Sequence, residues 1–245
     1  MPDRVSFEER LEKVTRLSAE ERAALLRLQD GPVPVAKGKL IQRDEQQVSA
    51  LYLVHAGRLM AYVALDDGSR QVTNLYFSGD FVGATAAVGE VAHENVEALT
   101  ASVVSLIDKA ALRELMAQHP RLIALLFLLA QADRRIIADR MKSIGRQNAQ
   151  KRLAAFLIEI HDRLGMIGER EEEGRFRLAL TQEDIADALG LTPVHVNRTF
   201  RALEKAGLIV RDKRAITIPD VAALRDLGGA TRRVQDVDLS WLTED

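Results

Sequence analysis

Between Thr181 and Ile209 the chain reads TQEDIADALGLTPVHVNRTFRALEKAGLI, and the punctuation of that stretch admits few structures besides two short helices meeting at a tight corner. Thr181 is an N-cap whose hydroxyl accepts a free backbone N–H, and Asp184, three positions on, completes a capping box. Ala186 is small where a second helix has to cross close by. Gly190 supplies the backbone freedom the corner needs, and Val196 plugs the second helix onto the first. That second helix opens on Thr192-Pro193, a capping hydroxyl followed by the residue best suited to the first helical position.

A small residue, a glycine and a branched apolar residue at these intervals form the pattern of a helix-turn-helix, whose second helix lies in a DNA major groove. A helical hairpin in some unrelated core is the competing reading of these residues taken alone. The next residues separate the two. Leu208-Ile209-Val210-Arg211 and Ala215-Ile216-Thr217-Ile218 are short β-rich runs around Asp212-Lys213-Arg214, a charged hairpin tip. A helix-turn-helix followed directly by a basic hairpin is a winged helix.

Composition adds where the charge lies. With 34 Lys+Arg against 36 Asp+Glu the net charge is −2, so the chain as a whole is no polycation. Arg198, Arg201, Lys205, Arg211, Lys213 and Arg214 gather on the second helix and the wing, while the first thirty residues are rich in Glu. A local basic face on a near-neutral chain suits salt-sensitive binding to particular sites better than general coating of DNA. The absence of cysteine excludes disulfides, thiolate zinc and cysteine-held iron–sulfur clusters. The N-terminal MPDRVSFEERLEK has no signal-peptide core, and the longest apolar run, Leu122 to Ala130, is far short of a membrane span. A soluble, cytoplasmic chain is expected, with no membrane partner.

The 245 residues suffice for two domains. Periodicity predicts an α+β chain in five parts: N-terminal helices over 1–30, an antiparallel β-roll (jelly roll) sensor domain over 31–118, a long dimerisation helix over 119–146, the winged helix over 147–228 and a tail over 229–245. Ser18 with Glu21 forms a capping box that restarts the first helical zone. The strands of the roll are read at Ser49–Val54, Arg58–Val63, Gln71–Tyr76 and Val103–Ile107, separated by turns at Ala56-Gly57, Asp66–Ser69 and Ser78–Asp80. After a short helix ending near Gln118, His119-Pro120 opens a helical stretch to about Ile144, ~37 Å long at ~1.5 Å per residue. Leu122, Leu125, Leu129, Ala132 and Ile136 form one apolar stripe along it, and Ile123, Leu126, Ala130, Ile137, Met141 and Ile144 a second. One face is expected to pack on the roll and another on a second copy, with Leu122, Leu125, Leu129, Ile136, Ile137, Met141 and Ile144 at the dimer interface.

A β-roll, a long connecting helix and a C-terminal winged helix, in that order, resemble the Crp/Fnr family of bacterial transcription regulators, and the likeness covers nearly the whole chain. Leu53-x-x-x-Gly57-x-Leu59, Asp67-Gly68-Ser69-Arg70 and Ser78-Gly79-Asp80-Phe81-Val82-Gly83 look like the glycine turns of the family's roll. Ala149-Gln150-Lys151-Arg152-Leu153-Ala154-x-Phe156-Leu157 looks like the helix that opens its DNA-binding half. The resemblance implies a homodimer that sets two recognition helices in successive major grooves, ~34–36 Å apart, on a near-palindromic duplex. Thr181, Gln182 and Thr192 match positions that hold phosphates in the family. Arg198 matches an arginine that reads guanine, and a bidentate Arg–guanine contact is favoured on geometry as well. Arg201, Lys213 and Arg214 are the candidates for backbone contacts. An activator of this kind would also touch RNA polymerase.

The departures from the family are as informative. Many members begin the recognition helix with an Arg and a Glu, and the Glu accepts from cytosine. Here those positions are Pro193 and Val194. Val194 can press on a thymine methyl, while His195 and Asn197 have polar reach nearby. Cyclic-nucleotide-binding members follow the Gly-Asp-Phe-x-Gly turn with a Glu for the ribose and an Arg-Ser pair for the phosphate. Here Gly83 precedes Ala84-Thr85, and GEVAHENVE, residues 89–97, carries no Arg or Lys but holds Glu90, Glu94 and Glu97. A cyclic phosphate needs a cation or a dense ring of donors, so cyclic AMP is not the expected ligand. Haem would need His55 or His93, and a lone His on a strand or loop is more often plain structure. No cofactor and no metal is therefore expected, and the effector, a small molecule or none, stays unnamed. A cupin-like metal enzyme built on the roll would need clustered His and Glu ligands, and a nucleotide-responsive interaction module would have no use for the wing and Arg198.

Overall fold

The computed structural model describes residues 6–12, 15–29, 31–48, 50–83, 90–171 and 174–230, except for the side chains of Ala132 and Asp133. The expectations for Ser49, for Ala84-Thr85 and for the tail with Trp241-Leu242 lie outside the described residues. The chain divides into two compact units, one built from Val5–Val63 and Leu75–Arg134, the other from Ala64–Asn74 and Arg135–Arg232.

The first unit opens with α1 (Phe7–Glu12) and α2 (Ala19–Leu28). Ser18 caps α2 in a complete capping box with Glu21. In chain order then follow β1 (Val33–Val35), β2 (Leu40–Gln42), β3 (Ala50–Ala56), β4 (Leu59–Ala64), β5 (Arg70–Tyr76), β6 (Phe81–Val82), β7 (Asn95–Ala98), β8 (Ser102–Asp108) and α3 (Lys109–Gln118), with residues 64–74 belonging to the second unit. The strands form two sheets of four, in the orders β1-β8-β3-β6 and β2-β7-β4-β5. Val54 and Val104 from one sheet share a buried cluster with Leu59, Ala61, Val96 and Ala98 from the other, which makes the pair a closed roll. Alternation along β3 and β8 sends Leu51, Leu53 and Ile107 to the opposite face, where they pack with Phe7, Leu11, Leu25 and Leu115 of the helices. Gly57 is required between β3 and β4. Its φ is +85°, and a Cβ there would stand 2.6 Å from the Ala101 carbonyl oxygen.

The long helix α4 spans Pro120–Arg146. Its first turns complete the core of the first unit and correct one expectation. Leu122 and Leu125 are 0% and 2% exposed inside that core, so neither has surface left to bury on a partner. Leu129 packs against the same cluster. Arg121 anchors this end, with Nη1 donating to both oxygens of Glu21 at 2.8 and 2.7 Å and Nη2 to Thr15 Oγ1 at 2.8 Å. Burial alone would raise the Glu21 pKa, but the Ser18 N–H and the Arg121 guanidinium outweigh it and hold the carboxyl below its ordinary value.

The second unit is built on α5 (Ala149–Met166), against which α6 (Gln182–Leu189), α7 (Pro193–Lys205) and α8 (Val221–Gly228) pack. Three short strands, β9 (Arg175–Arg177), β10 (Val210–Asp212) and β11 (Ala215–Thr217), form an antiparallel sheet in the order β10-β11-β9. Leu153, Leu157, Ile160 and Leu164 of α5 are buried, as are Phe176, Ile185, Val196, Phe200, Leu203 and Leu224. Sequence reading gave the wing two strands, and β9 is the third. The wing tip is also tighter than expected, because Asp212 pairs with Ala215 inside the ladder and leaves Lys213-Arg214 as the turn.

Candidate nucleic-acid interface

Local chemistry sets α6 and α7. Thr181 takes the Asp184 N–H on its hydroxyl at 3.1 Å, while its own N–H and hydroxyl both donate to Asp184 Oδ2 at 2.8 Å. Thr181, expected at a phosphate, therefore spends both of its donors inside the cap. α6 ends on Gly190 in the left-handed conformation, φ +62° and ψ +45°, and its N–H closes on the Ala186 carbonyl. α7 starts on Thr192, which accepts from His195 N–H at 3.2 Å, with Pro193 in the first turn. Ala186 and Val196 are both fully buried where sequence placed the crossing of the two helices.

The apolar residues of α7 divide the helix cleanly. Val196, Thr199, Phe200 and Leu203 point into the unit. Val194, Arg198, Arg201 and Lys205 recur at three and four and are exposed, so they form one outward stripe. Val194 is 80% exposed at the start of that stripe. Gln182, Thr192 and Pro193 are exposed near the corner, and His195 and Asn197 flank the stripe half-buried. Lys213 and Arg214 are exposed at the wing tip. Arg211, expected in the basic face, is a correction. It pairs with Glu204 and lies over the Phe200 ring, so its charge is spent inside the unit.

The roll offers less. His55 Nε2 lies 2.7 Å from Ser105 Oγ, whose hydroxyl donates to the Gln29 carbonyl at 2.7 Å. The ring is thus held as a donor in a structural chain, and burial lowers its pKa despite the nearby Glu8. His93 and Glu90 are exposed, and Glu94 and Glu97 half-buried. Among the described residues no three His, Cys, Asp or Glu side chains come together as metal ligands would.

Residues 151–227 match the profile of a Crp-like helix-turn-helix domain, and residues 32–119 that of a cyclic nucleotide-binding domain. The fumarate and nitrate reduction regulatory protein of Escherichia coli K12 is 30% identical over 202 residues, spanning 82% of this chain and 80% of the relative. The chain belongs to the Crp/Fnr family. Its fold agrees with solved Crp/Fnr structures. FixK2 from Bradyrhizobium japonicum superposes with a TM-score of 0.73 at 25% identity, over 82% of this chain and 98% of that one. A CooA mutant from Carboxydothermus hydrogenoformans gives 0.69 at 18% identity, over 89% and 95%. The α+β order of β-roll, long helix and winged helix is the Crp/Fnr architecture, and the chain is a DNA-binding transcription regulator of that type. No described helix is long and apolar enough to cross a membrane.

Sequence reasoning missed one element of this family frame. Phe127 of α4 is 61% exposed and belongs to neither of the two apolar stripes read along that helix.

Proposed function

We propose that the chain works as a homodimer that binds a near-palindromic duplex in the cytoplasm, with α7 of each copy in a major groove. The observation that carries this reading is the outward stripe of Val194, Arg198, Arg201 and Lys205 on a helix whose opposite face is fully buried. Arg198 reads a guanine through O6 and N7. Val194 presses on a thymine methyl, and His195 and Asn197 read neighbouring edges beside Pro193. Gln182, Thr192, Arg201, Lys213 and Arg214 contact the phosphate backbone, with Thr181 holding the N-terminus of α6 in place. The dimer face is read on α4 at Phe127, Ile137 and Met141, with Ile136 and Ile144 half-buried beside it. An activator would add RNA polymerase as a partner.

Regulation is the role that the Crp-like helix-turn-helix profile over residues 151–227 and the regulatory relatives support. The described stretch from Glu90 to Glu97 offers carboxylates and no cation, which supports an effector other than cyclic AMP. Selection of bound duplexes from a random pool tests the reading. The expected product is a twofold-symmetric site with a guanine in each half and thymine beside it. Arg198→Ala should cost ~1–3 kcal/mol of specific binding and relax one base pair. An unchanged affinity and base preference would remove α7 from the groove.

A further inference from the structure

Arg70 opens β5, and its guanidinium lies between two carboxylates of α6. Nη2 is 3.3 Å from Asp184 Oδ1 and 2.9 Å from Asp187 Oδ2, and Nε is 3.0 Å from Asp187 Oδ2. The next residue, Gln71, donates Nε2–H to the Asp187 carbonyl at 2.9 Å. Thr73 continues the attachment, because its carbonyl accepts from Arg140 Nη1 of α4 at 3.1 Å. Arg140 is itself buried, with Nη2 2.6 Å from Glu159 of α5 and its guanidinium over the Phe156 ring. All of these residues belong to the same compact unit. Leu75 and Tyr76, next along the same strand, are buried in the core of the roll.

The chemistry at the far end gives the contact its meaning. Asp184 completes the capping box of α6, and its Oδ2 is taken by both donors of Thr181, leaving Oδ1 for Arg70. The side chains of Arg70, Asp184 and Asp187 are 27%, 12% and 17% exposed, too enclosed to count as a solvated surface pair. Without the guanidinium, α6 would hold two carboxylates one turn apart and poorly solvated. They would lie on the helix whose N-terminus approaches the DNA backbone, where negative charge repels phosphate.

We propose that Arg70 is a positioning residue for DNA binding. By holding Asp184 and Asp187 it fixes α6 and, through the Gly190 corner, the angle of α7, and it offsets one of the two negative charges beside the duplex. The inference rests on the reading of α7 as the DNA-reading helix.

The test uses the full chain and a fluorescein-labelled duplex of the sequence that the unsubstituted chain selects from a random pool, with anisotropy as readout. Arg70→Ala should weaken binding about tenfold, as coupled charge networks of this kind do. Arg70→Lys, which keeps the charge and loses the fork, should fall between the two with an unchanged melting temperature. Asp187→Arg alone should weaken binding, and Arg70→Asp combined with Asp187→Arg should recover most of the loss. Amide exchange along α6 should quicken in Arg70→Ala and slow again in the swapped pair. Affinity unchanged or increased in Arg70→Ala, or a swapped pair no better than its two single variants, would overturn the proposal. Arg198→Ala in parallel keeps the two readings apart. Loss there with no effect at Arg70 sinks the positioning role alone, and no effect at either removes the DNA-reading helix itself.

Discussion

Arg211 of β10 faces Glu204 of α7 as a fork, with Nε 2.9 Å from Oε1 and Nη2 2.6 Å from Oε2, while its guanidinium lies 4.6 Å from the centre of the Phe200 ring. These side chains join the first strand of the wing to the end of α7 with a bidentate pair and a cation–π contact. The wing loses one cation to the joint. Lys213 and Arg214 stay exposed at the tip of the same hairpin.

The joint makes stability depend on pH in a definite direction. The hydrogen bond from Arg211, assisted by its charge and by that of Arg201, holds the Glu204 carboxyl below its ordinary value. A carboxyl lowered in the folded state contributes stability that is complete above its unfolded pKa and fades as pH falls through the folded one. Arg211→Ala should therefore cost about 1 kcal/mol at neutral pH, and less in acid. Arg211→Lys should recover little, because an ammonium cannot form the fork. Urea midpoints of the three proteins at neutral and acid pH check the sign. A cost that grew in acid would contradict it.

How far the chain could be read in advance follows from the range of each signal. The caps at Ser18, Thr181 and Thr192 act over three residues, and the left-handed turn at Gly190 is local, so each was legible from sequence. The stripe on α7 was legible because one helix repeats its own faces. Strands β1, β2, β6 and β9 have only two or three residues and are too short for alternation to show. The charge of Arg211 read as free because its partner Glu204 lies across a turn, and Arg70 found its partners 114 and 117 residues away. Leu122 and Leu125 illustrate a different limit. A helix apolar on two faces shows that both are covered, without showing which one the chain covers itself.

Two glycines of the winged-helix unit should answer differently to alanine. Gly190 has a left-handed φ, but a Cβ would find only Ile144 Cγ2 at 3.7 Å and Arg152 Nη1 at 3.9 Å. Gly190→Ala should cost about 1 kcal/mol from the backbone alone, and Gly190→Asn less. Gly228 sits at the end of α8, where a Cβ would stand 2.7 Å from Ala155 N and 2.9 Å from Ala155 Cα, backbone atoms of α5 that cannot turn aside. Gly228→Ala should cost more, about 2–3 kcal/mol, by forcing α8 off α5. Denaturant midpoints in the reverse order would refute this account of the packing.

Val194 should be a switch of base preference with little bearing on the fold. Its side chain is outside the core, and a carboxylate in the first turn of a helix is favoured by the dipole. Val194→Glu should therefore leave thermal stability unchanged or slightly raised. In selection from a random duplex pool it should replace thymine with cytosine at one position of each half-site, because the carboxylate accepts from cytosine N4. The guanine under Arg198 should persist. Selection of an unchanged half-site by Val194→Glu would mean that this residue does not face a base.

The long helix separates two kinds of apolar residue that look alike in sequence, and substitution should tell them apart. Leu122 is wholly enclosed with Phe7, Leu11 and Leu25, so Leu122→Ala should cost about 2–5 kcal/mol of folding stability. Phe127 and Met141 stand 61% and 70% exposed on the same helix, and their removal takes nothing from the core of a single chain. Phe127→Lys with Met141→Lys should leave the intrinsic fold intact by circular dichroism while placing charge on the face assigned to the second copy. Sedimentation at micromolar concentration should then show a monomer where the unsubstituted chain is a dimer, and affinity for a two-half-site duplex should fall towards that for a single half-site. A substituted chain that still sediments as a dimer would put the twofold contact elsewhere than on Phe127 and Met141.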